Sequence, residues 1–264
     1  LCSLMQFSLP FLLAALLLGP LGCTSSPPDS APSGAAVLDS ARAAHGSALI
    51  TQAQIQFQFR DDRYSLRQND GRFRYRRAYV DSLGQAVTEV FASDTTYRRV
   101  EGSRVPLSAE EQSDVETTVN SVAYFALLPE PLGDSAVQPA YQGRDTIRGV
   151  PYHRVQVTFE QAGGGRDWQD VFLYWFRTDT YAMDYLAYAY GLGPDEETGT
   201  RFRSAYNERR VSGVRFADYR NYTDSTLTVD QMHRYPALLE RDALRLVSRI
   251  ELDSVRVRPL SDPS

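Results

Sequence analysis

The sequence predicts an α+β protein built on one large curved antiparallel sheet, an incomplete barrel of about ten or eleven strands with two or three covering helices. Three observations carry that prediction. A two-residue alternation of apolar and polar side chains dominates the chain from about residue 53 onward. One long helical pattern interrupts it near mid-chain, and strand follows strand through short turns with no βαβ alternation. A sheet of so many twisted strands curls, and helices are then needed to cover its concave face.

The elements follow in order. Ala35 to Ala44 reads as a short helix, with Val37, Leu38, Ala41 and Ala44 on one side and Gly46 as its stop. The period then changes to two: Ile55, Phe57 and Phe59 alternate with Gln54, Gln56 and Gln58, a strand with one wet face. Tyr64 to Arg67 and Arg72 to Val80 flank an Asp70-Gly71 hairpin signal, and Gln85 to Ala92 and Thr95 to Val100 continue the meander. Ser108 and Glu111 form a capping box that opens the longest helix. Val115, Val119, Val122 and Ala126 form its apolar stripe before Pro129 and Pro131 end it.

Strands resume at Asp145 to Gly149 and Tyr152 to Phe159, where Val155, Val157 and Phe159 alternate with polar residues. Val171 to Phe176 is apolar on both faces, so it belongs at the centre of the sheet with cover on both sides. Tyr181 to Tyr190, Thr200 to Val211 and Val214 to Thr226 follow, dense in tyrosine and arginine. Gln231 to Leu244 is a short helix or a loop interrupted by Pro236, and Leu246 to Val257 closes the chain as a strand.

Composition bounds the function. In the 264-residue chain, 42% hydrophobic and 23% charged residues describe an ordinary globular protein and exclude a disordered one. A net charge of -5 argues against nucleic acid as the partner, which needs a concentrated basic surface. All 28 basic residues are arginine, so an arginine here says less about bidentate recognition than it does elsewhere.

The N-terminal segment carries an address. Phe11 to Leu18 is an unbroken apolar run, too short for a bilayer core of about 30 Å but of the right length for a secretory signal. Pro20-Leu21-Gly22 before Cys23 resembles the lipobox of bacterial lipoproteins, in which cleavage precedes a cysteine that is then acylated. The expected organisation is a signal peptide over residues 1–22 and a Ser/Pro-rich tether over 23–34 that begins at the lipidated Cys23. A single β-rich domain over 35–264 follows. The expected location is the bacterial cell envelope, anchored at the outer membrane through the N-terminal lipid.

Several segments together resemble the DUF6503 group of exported bacterial proteins and, more widely, the LolA/LolB-like lipoprotein-carrier fold. They are Ala44-His45-Gly46, Val122 to Pro129, the Tyr141 to Tyr152 segment with its regularly spaced glycines, Arg201-Phe202-Arg203, and Val211 to Tyr222. The resemblance covers residues 35 to 258. It implies an apolar cavity for acyl chains and a protein that is not an enzyme, and it transfers no catalytic residue.

Histidines stand only at 45, 153 and 233, without the clustering a metal site needs, so no metal and no cofactor is expected. His153 reads as a hydrogen-bonded packing residue. No nucleophile elbow is present, and the glycines at 163–165 lack the lysine and helix of a phosphate loop. Asp167 and Asp170 read as turn caps or solvated carboxylates rather than a catalytic pair. Arg72, Arg74 and Arg76, and likewise Arg201, Arg203 and Arg209, read as solvated sheet faces, with an anionic partner as the alternative.

The concave face is either filled by side chains or open as a ligand cavity. If open, its lining would come from Phe57, Phe59, Val155, Val157, Phe172, Tyr174 and Phe176. Three functions stand at this level: a non-enzymatic, lipid-anchored envelope protein that binds an acyl chain or lipoprotein; an envelope interaction module with a filled core; and a hydrolase whose site is assembled from distant residues.

Overall fold

The computed structural model describes residues 31–69, 71–163, 168–193 and 197–260. The segment expected as a leader, Cys23 and most of the segment expected as a tether lie outside these residues, as do Asp70 and Asp167. Among the described residues, no helix is long and apolar enough to cross a membrane.

Two short helices come first, α1 (Gly34–His45) and α2 (Ser47–Ile50). Ser33 caps α1 by accepting the Ala36 N–H, and Gly46 ends it in the left-handed conformation. The first meander is β1 (Ala53–Phe59), β2 (Asp62–Asn69), β3 (Arg72–Val80), β4 (Ala86–Ala92), β5 (Thr95–Val100) and β6 (Ser103–Val105). Then α3 (Ala109–Leu127) crosses to a second meander. This consists of β7 (Val137–Ile147), β8 (Val150–Phe159), β9 (Val171–Arg177), β10 (Met183–Tyr190), β11 (Gly199–Val211) and β12 (Val214–Thr223). A 3₁₀ turn and α4 (Tyr235–Glu240) precede β13 (Arg245–Ile250) and β14 (Asp253–Pro259).

The α+β class, the antiparallel pairing and the covering helices are as the sequence predicts. The strand number is larger: among the described residues, fourteen strands form two seven-stranded sheets, ordered β14-β1-β2-β3-β4-β5-β6 and β13-β12-β11-β10-β9-β8-β7. The chain therefore climbs the first sheet, crosses by α3 to the far edge of the second, and returns until β14 pairs with β1. One expectation is corrected here. The segment 246–257, read as one strand, breaks at Glu251-Leu252 into β13 and β14, which belong to different sheets. The other addition is β6, a three-residue strand too short to show a period.

Side chains, in place of a ladder, bridge the sheets where β13 gives way to β14. The Leu252 N–H donates to Asp218 Oδ1 at 3.0 Å, and Arg209 donates to the Leu252 carbonyl and, at 3.1 Å, to Asp218. Tyr206 adds a hydrogen bond to Glu251 at 2.6 Å.

Turn chemistry sets the registers. Val100↔Ser103, Ile147↔Val150 and Val211↔Val214 pair across the two-residue connections Glu101-Gly102, Arg148-Gly149 and Ser212-Gly213, both residues of each having positive φ. That is the turn whose twist matches paired strands, with glycine second.

The core has three parts. Val115, Val119, Ala123 and Leu127 of α3 pack on Ile55, Leu66 and Tyr75 of the first sheet. Val37, Leu38 and Ala41 of α1 pack on the inner face of the second, with Val155, Val157 and Phe176. On its outer face, Trp175 and Phe202 are covered by Met232, Tyr235 and Leu239. β9 is thus buried on both sides, as its unbroken apolar run predicts. Pro236 is accommodated in the first turn of α4, where no helical N–H is lost.

Candidate functional site

α3 carries two faces. The one described above is used on the first sheet; the other, with Val122, Phe125 and Ala126, looks toward the inner face of the second. The space between is a cavity of about 340 Å³. Leu128, Phe216, Ala217, Ile250, Leu252 and Phe59 complete its apolar wall. Beyond Phe125 and Tyr188, which border both, a second cavity of about 510 Å³ runs between α3 and the inner face, past Asn120, Tyr124, Phe159, Phe172 and Tyr190.

Four buried polar residues from three segments line the smaller cavity at two places: His45 and Arg215 beside Met183, and Arg203 with its cross-strand partner Asn221 six residues further along β12. Each is at least nine-tenths buried. Five buried side-chain polar atoms among the described residues lack a hydrogen-bond partner, and four of them are His45 Nδ1, Arg203 Nε, Arg215 Nε and Asn221 Oδ1. Buried polar groups are normally satisfied, so this concentration marks a place where polar atoms are held against their own cost.

The two arginines differ. Arg215 donates to the Met183 carbonyl at 3.2 Å, to Asp184 at 3.2 Å and to Glu208 at 2.8 Å, so its charge is answered by two carboxylates. Arg203 is 8% exposed and makes one hydrogen bond, from Nη2 to the Tyr188 hydroxyl at 3.2 Å. Its guanidinium lies 3.7 Å from the centre of the Phe125 ring and 5.2 Å from that of Tyr188. Among the described residues, no carboxylate is within ion-pair distance of it. A charge so buried with only aromatic rings and one hydroxyl as neighbours is costly, and cation–π contact returns only about 0.5–2 kcal/mol of that.

His45 is neutral. Burial, with the charges of Arg215 and Arg210, pushes its pKa down to about 3. Its Nε2 accepts the Met183 N–H at 3.0 Å, so the proton sits on Nδ1, the atom without a partner. Gly46 fixes the approach: at φ 79°, a Cβ there would meet the Gly213 carbonyl oxygen at 2.7 Å. Arg210 ties the same corner by donating to the Ala44 carbonyl at 2.7 Å and the Gly213 carbonyl at 2.9 Å. Burial raises the Tyr219 hydroxyl to about 12 and the Tyr174 hydroxyl further, so neither supplies a negative charge near Arg203.

The residues that the sequence nominates for a lining are distributed unevenly. Phe59 borders the 340 Å³ cavity and Phe172 the 510 Å³ one. Phe57 is stacked on Tyr64 in the first-sheet core, and Val155, Val157, Tyr174 and Phe176 are fully buried in the second. Tyr174 shares a 3.2 Å hydrogen bond with Tyr124 of α3. Cys23 lies outside the described residues.

Arg72, Arg74 and Arg76 are solvated, as expected. The expectation that Arg203 faces solvent is corrected: β11 is covered on both faces, so Arg203 is buried, as is Phe202 beside it. His153 is the packing residue predicted, bonded to the Tyr141 hydroxyl at 3.2 Å and stacked on Tyr181. His233 bonds the Asp230 carbonyl at the surface. Among the described residues, no three His, Cys, Asp or Glu side chains group as a metal site requires.

A two-sheet α+β scaffold whose crossing helix roofs an apolar cavity lined by a few buried polar residues defines the class. The chain belongs to DUF6503, a family of unknown function, whose profile matches residues 48–252. That is the family whose motifs the sequence resembles, and His45, Val122, Phe125, Arg203, Arg215 and Asn221 from those motifs meet at the cavity. No curated protein matches the chain. Among solved structures, the chain is similar to a DUF1329 family protein from Desulfovibrio piger, with 11% identity, 88% of this chain and 96% of that one covered, and a TM-score of 0.46. It is similar to a LolA superfamily protein from Nitrosomonas europaea, with 10% identity, the same coverages and a TM-score of 0.46. The lipoprotein LppX from Mycobacterium tuberculosis matches at 15% identity over 60% of this chain and 90% of that one, with a TM-score of 0.28.

Proposed function

We propose that this protein is a non-enzymatic binder of acyl ligands in the bacterial cell envelope, taking up an acyl chain or the acylated end of a lipoprotein beneath α3. One observation carries the reading: the cavity of about 340 Å³ with an apolar wall and a few buried polar groups, continued past Phe125 by a larger one. Ligand sites are concave, mostly apolar and oriented by a few polar groups, with volumes of about 300–1,000 Å³. A filled core would leave no such space. The histidines support binding over hydrolysis, because His45 and His153 are engaged by a backbone N–H and a tyrosine hydroxyl.

Val122→Trp tests the site directly. Val122 is half-buried at the cavity wall, so the indole would occupy the ligand's space without opening the α3 core. Palmitoyl-chain binding measured by titration should weaken at least tenfold while the melting temperature holds. Unchanged binding would remove the cavity from consideration.

The envelope location and the anchor rest on the apolar leader and Cys23. In this reading the acylated Cys23 holds the domain at the outer membrane through a flexible tether. Cys23→Ser should release the protein from the membrane fraction, and retention without acylation would contradict the anchor.

A further inference from the structure

We infer that the cavity beneath α3 selects a single-chain amphiphile whose head is a carboxylate, with Arg203 as its charge partner. This rests on the reading of the cavity as an acyl site and adds the ligand's chemistry.

The charges decide it. Arg215 is answered by Asp184 and Glu208, and Asp184 is further held by Arg177 at 2.5 Å and the Tyr152 hydroxyl at 2.9 Å. Arg203 stands as one buried positive charge with no carboxylate in reach among the described residues. One excess charge calls for a monoanion. A carboxylate carries a single charge and meets a guanidinium fork in its plane, whereas a phosphate monoester carries about 1.5 to 2 at neutral pH.

A neighbour suits the same head. Asn221, the cross-strand partner of Arg203, bonds Ser248 Oγ at 3.2 Å through its amide. Because that hydroxyl both donates and accepts, a turn of the amide by 180° keeps the bond and exchanges the unpartnered oxygen for an N–H. Next to Arg203 the room is for one chain: the part of the cavity walled by Val122, Ala126 and Ile250 holds about 340 Å³.

The experiment uses the chain with Cys23→Ser, purified without detergent and delipidated, titrated at pH 8 with palmitate, palmitamide and hexadecyl phosphate. Palmitate should bind one per chain and at least tenfold tighter than the uncharged amide. Arg203→Leu should abolish that preference, so that palmitate and palmitamide bind the variant within twofold of each other, and Arg203→Gln, which keeps a donor for Tyr188, should do the same if the leucine variant does not fold. Equal binding of palmitate and palmitamide, a preference that survives both substitutions, or tighter binding of hexadecyl phosphate would overturn the carboxylate assignment and leave the acyl site standing. Absence of binding by all of them would overturn the acyl site itself.

Discussion

His45 shows how a residue that is silent in sequence becomes legible in the fold. Ala44-His45-Gly46 reads as the end of a helix, and Gly46 is indeed its left-handed stop. Nothing local says that the imidazole of His45 reaches Met183, more than a hundred residues on, because that contact depends on how α1 seats on β10. The consequence is measurable. With a pKa lowered from 6.5 to about 3, His45 stays neutral in the folded protein while the unfolded chain takes up the proton first as pH falls. Its contribution is therefore complete above pH 6.5 and is lost progressively toward about 3. Between pH 6.5 and 5, where carboxylates contribute little, the unfolding free energy should fall by up to about 1.4 kcal/mol per pH unit. His45→Gln, whose amide oxygen can accept the same N–H, should flatten that slope in urea unfolding. Identical slopes would contradict the assignment.

Arg203 teaches the complementary lesson. An arginine in an alternating strand is read outward because charge avoids burial. The density of tyrosine and arginine along 181–226 was visible, but which arginine faces a cavity depends on cover from α3, a long-range contact.

At the level of elements, what the sequence discloses tracks how far each signal reaches. The capping box of α3 is local and is found as written: Ser108 Oγ accepts the Glu111 N–H at 3.2 Å and Glu111 accepts the Ser108 N–H at 2.9 Å. The buried face of β9 is equally plain in Val171 to Phe176. The break between β13 and β14 is the less visible case, although its trace is present: Ile250 and Leu252 share one phase of the alternation, Val255 and Val257 the other.

That break makes the sheet junction depend on side chains. Asp218 is buried and holds Arg209, Asn207 and the Leu252 N–H together. Asp218→Ala would leave a buried N–H unsatisfied and Arg209 unpaired, for an expected loss of about 3 kcal/mol. Urea unfolding of the variant measures it, and a loss below about 0.5 kcal/mol, the range of an ordinary surface substitution, would show that the junction does not rely on this residue.

On the scale of the whole molecule, the two sheets and α3 make a scaffold in which β11, β12 and the end of α1 carry the buried polar groups of the cavity and α3 carries much of its apolar wall. A single sequence reveals the antiparallel class, the order of elements and the mid-chain helix, since each follows from period and turn chemistry. It leaves open whether the concave face is packed or hollow, because that is decided by volumes summed over residues far apart in the chain. Five of the seven nominated lining residues are core; the cavity is formed by their neighbours on α3, β12 and β13. A ligand at a hundredfold excess over its dissociation constant would add about 2.7 kcal/mol to the folded state, so occupancy should be visible as a raised melting temperature.

The most direct measurement is native mass spectrometry of the protein purified without detergent, followed by organic extraction and identification of whatever accompanies it. The account predicts one bound acyl amphiphile per chain, lost in Val122→Trp. A clean apo mass that stays unchanged after incubation with palmitoyl lipids would contradict it.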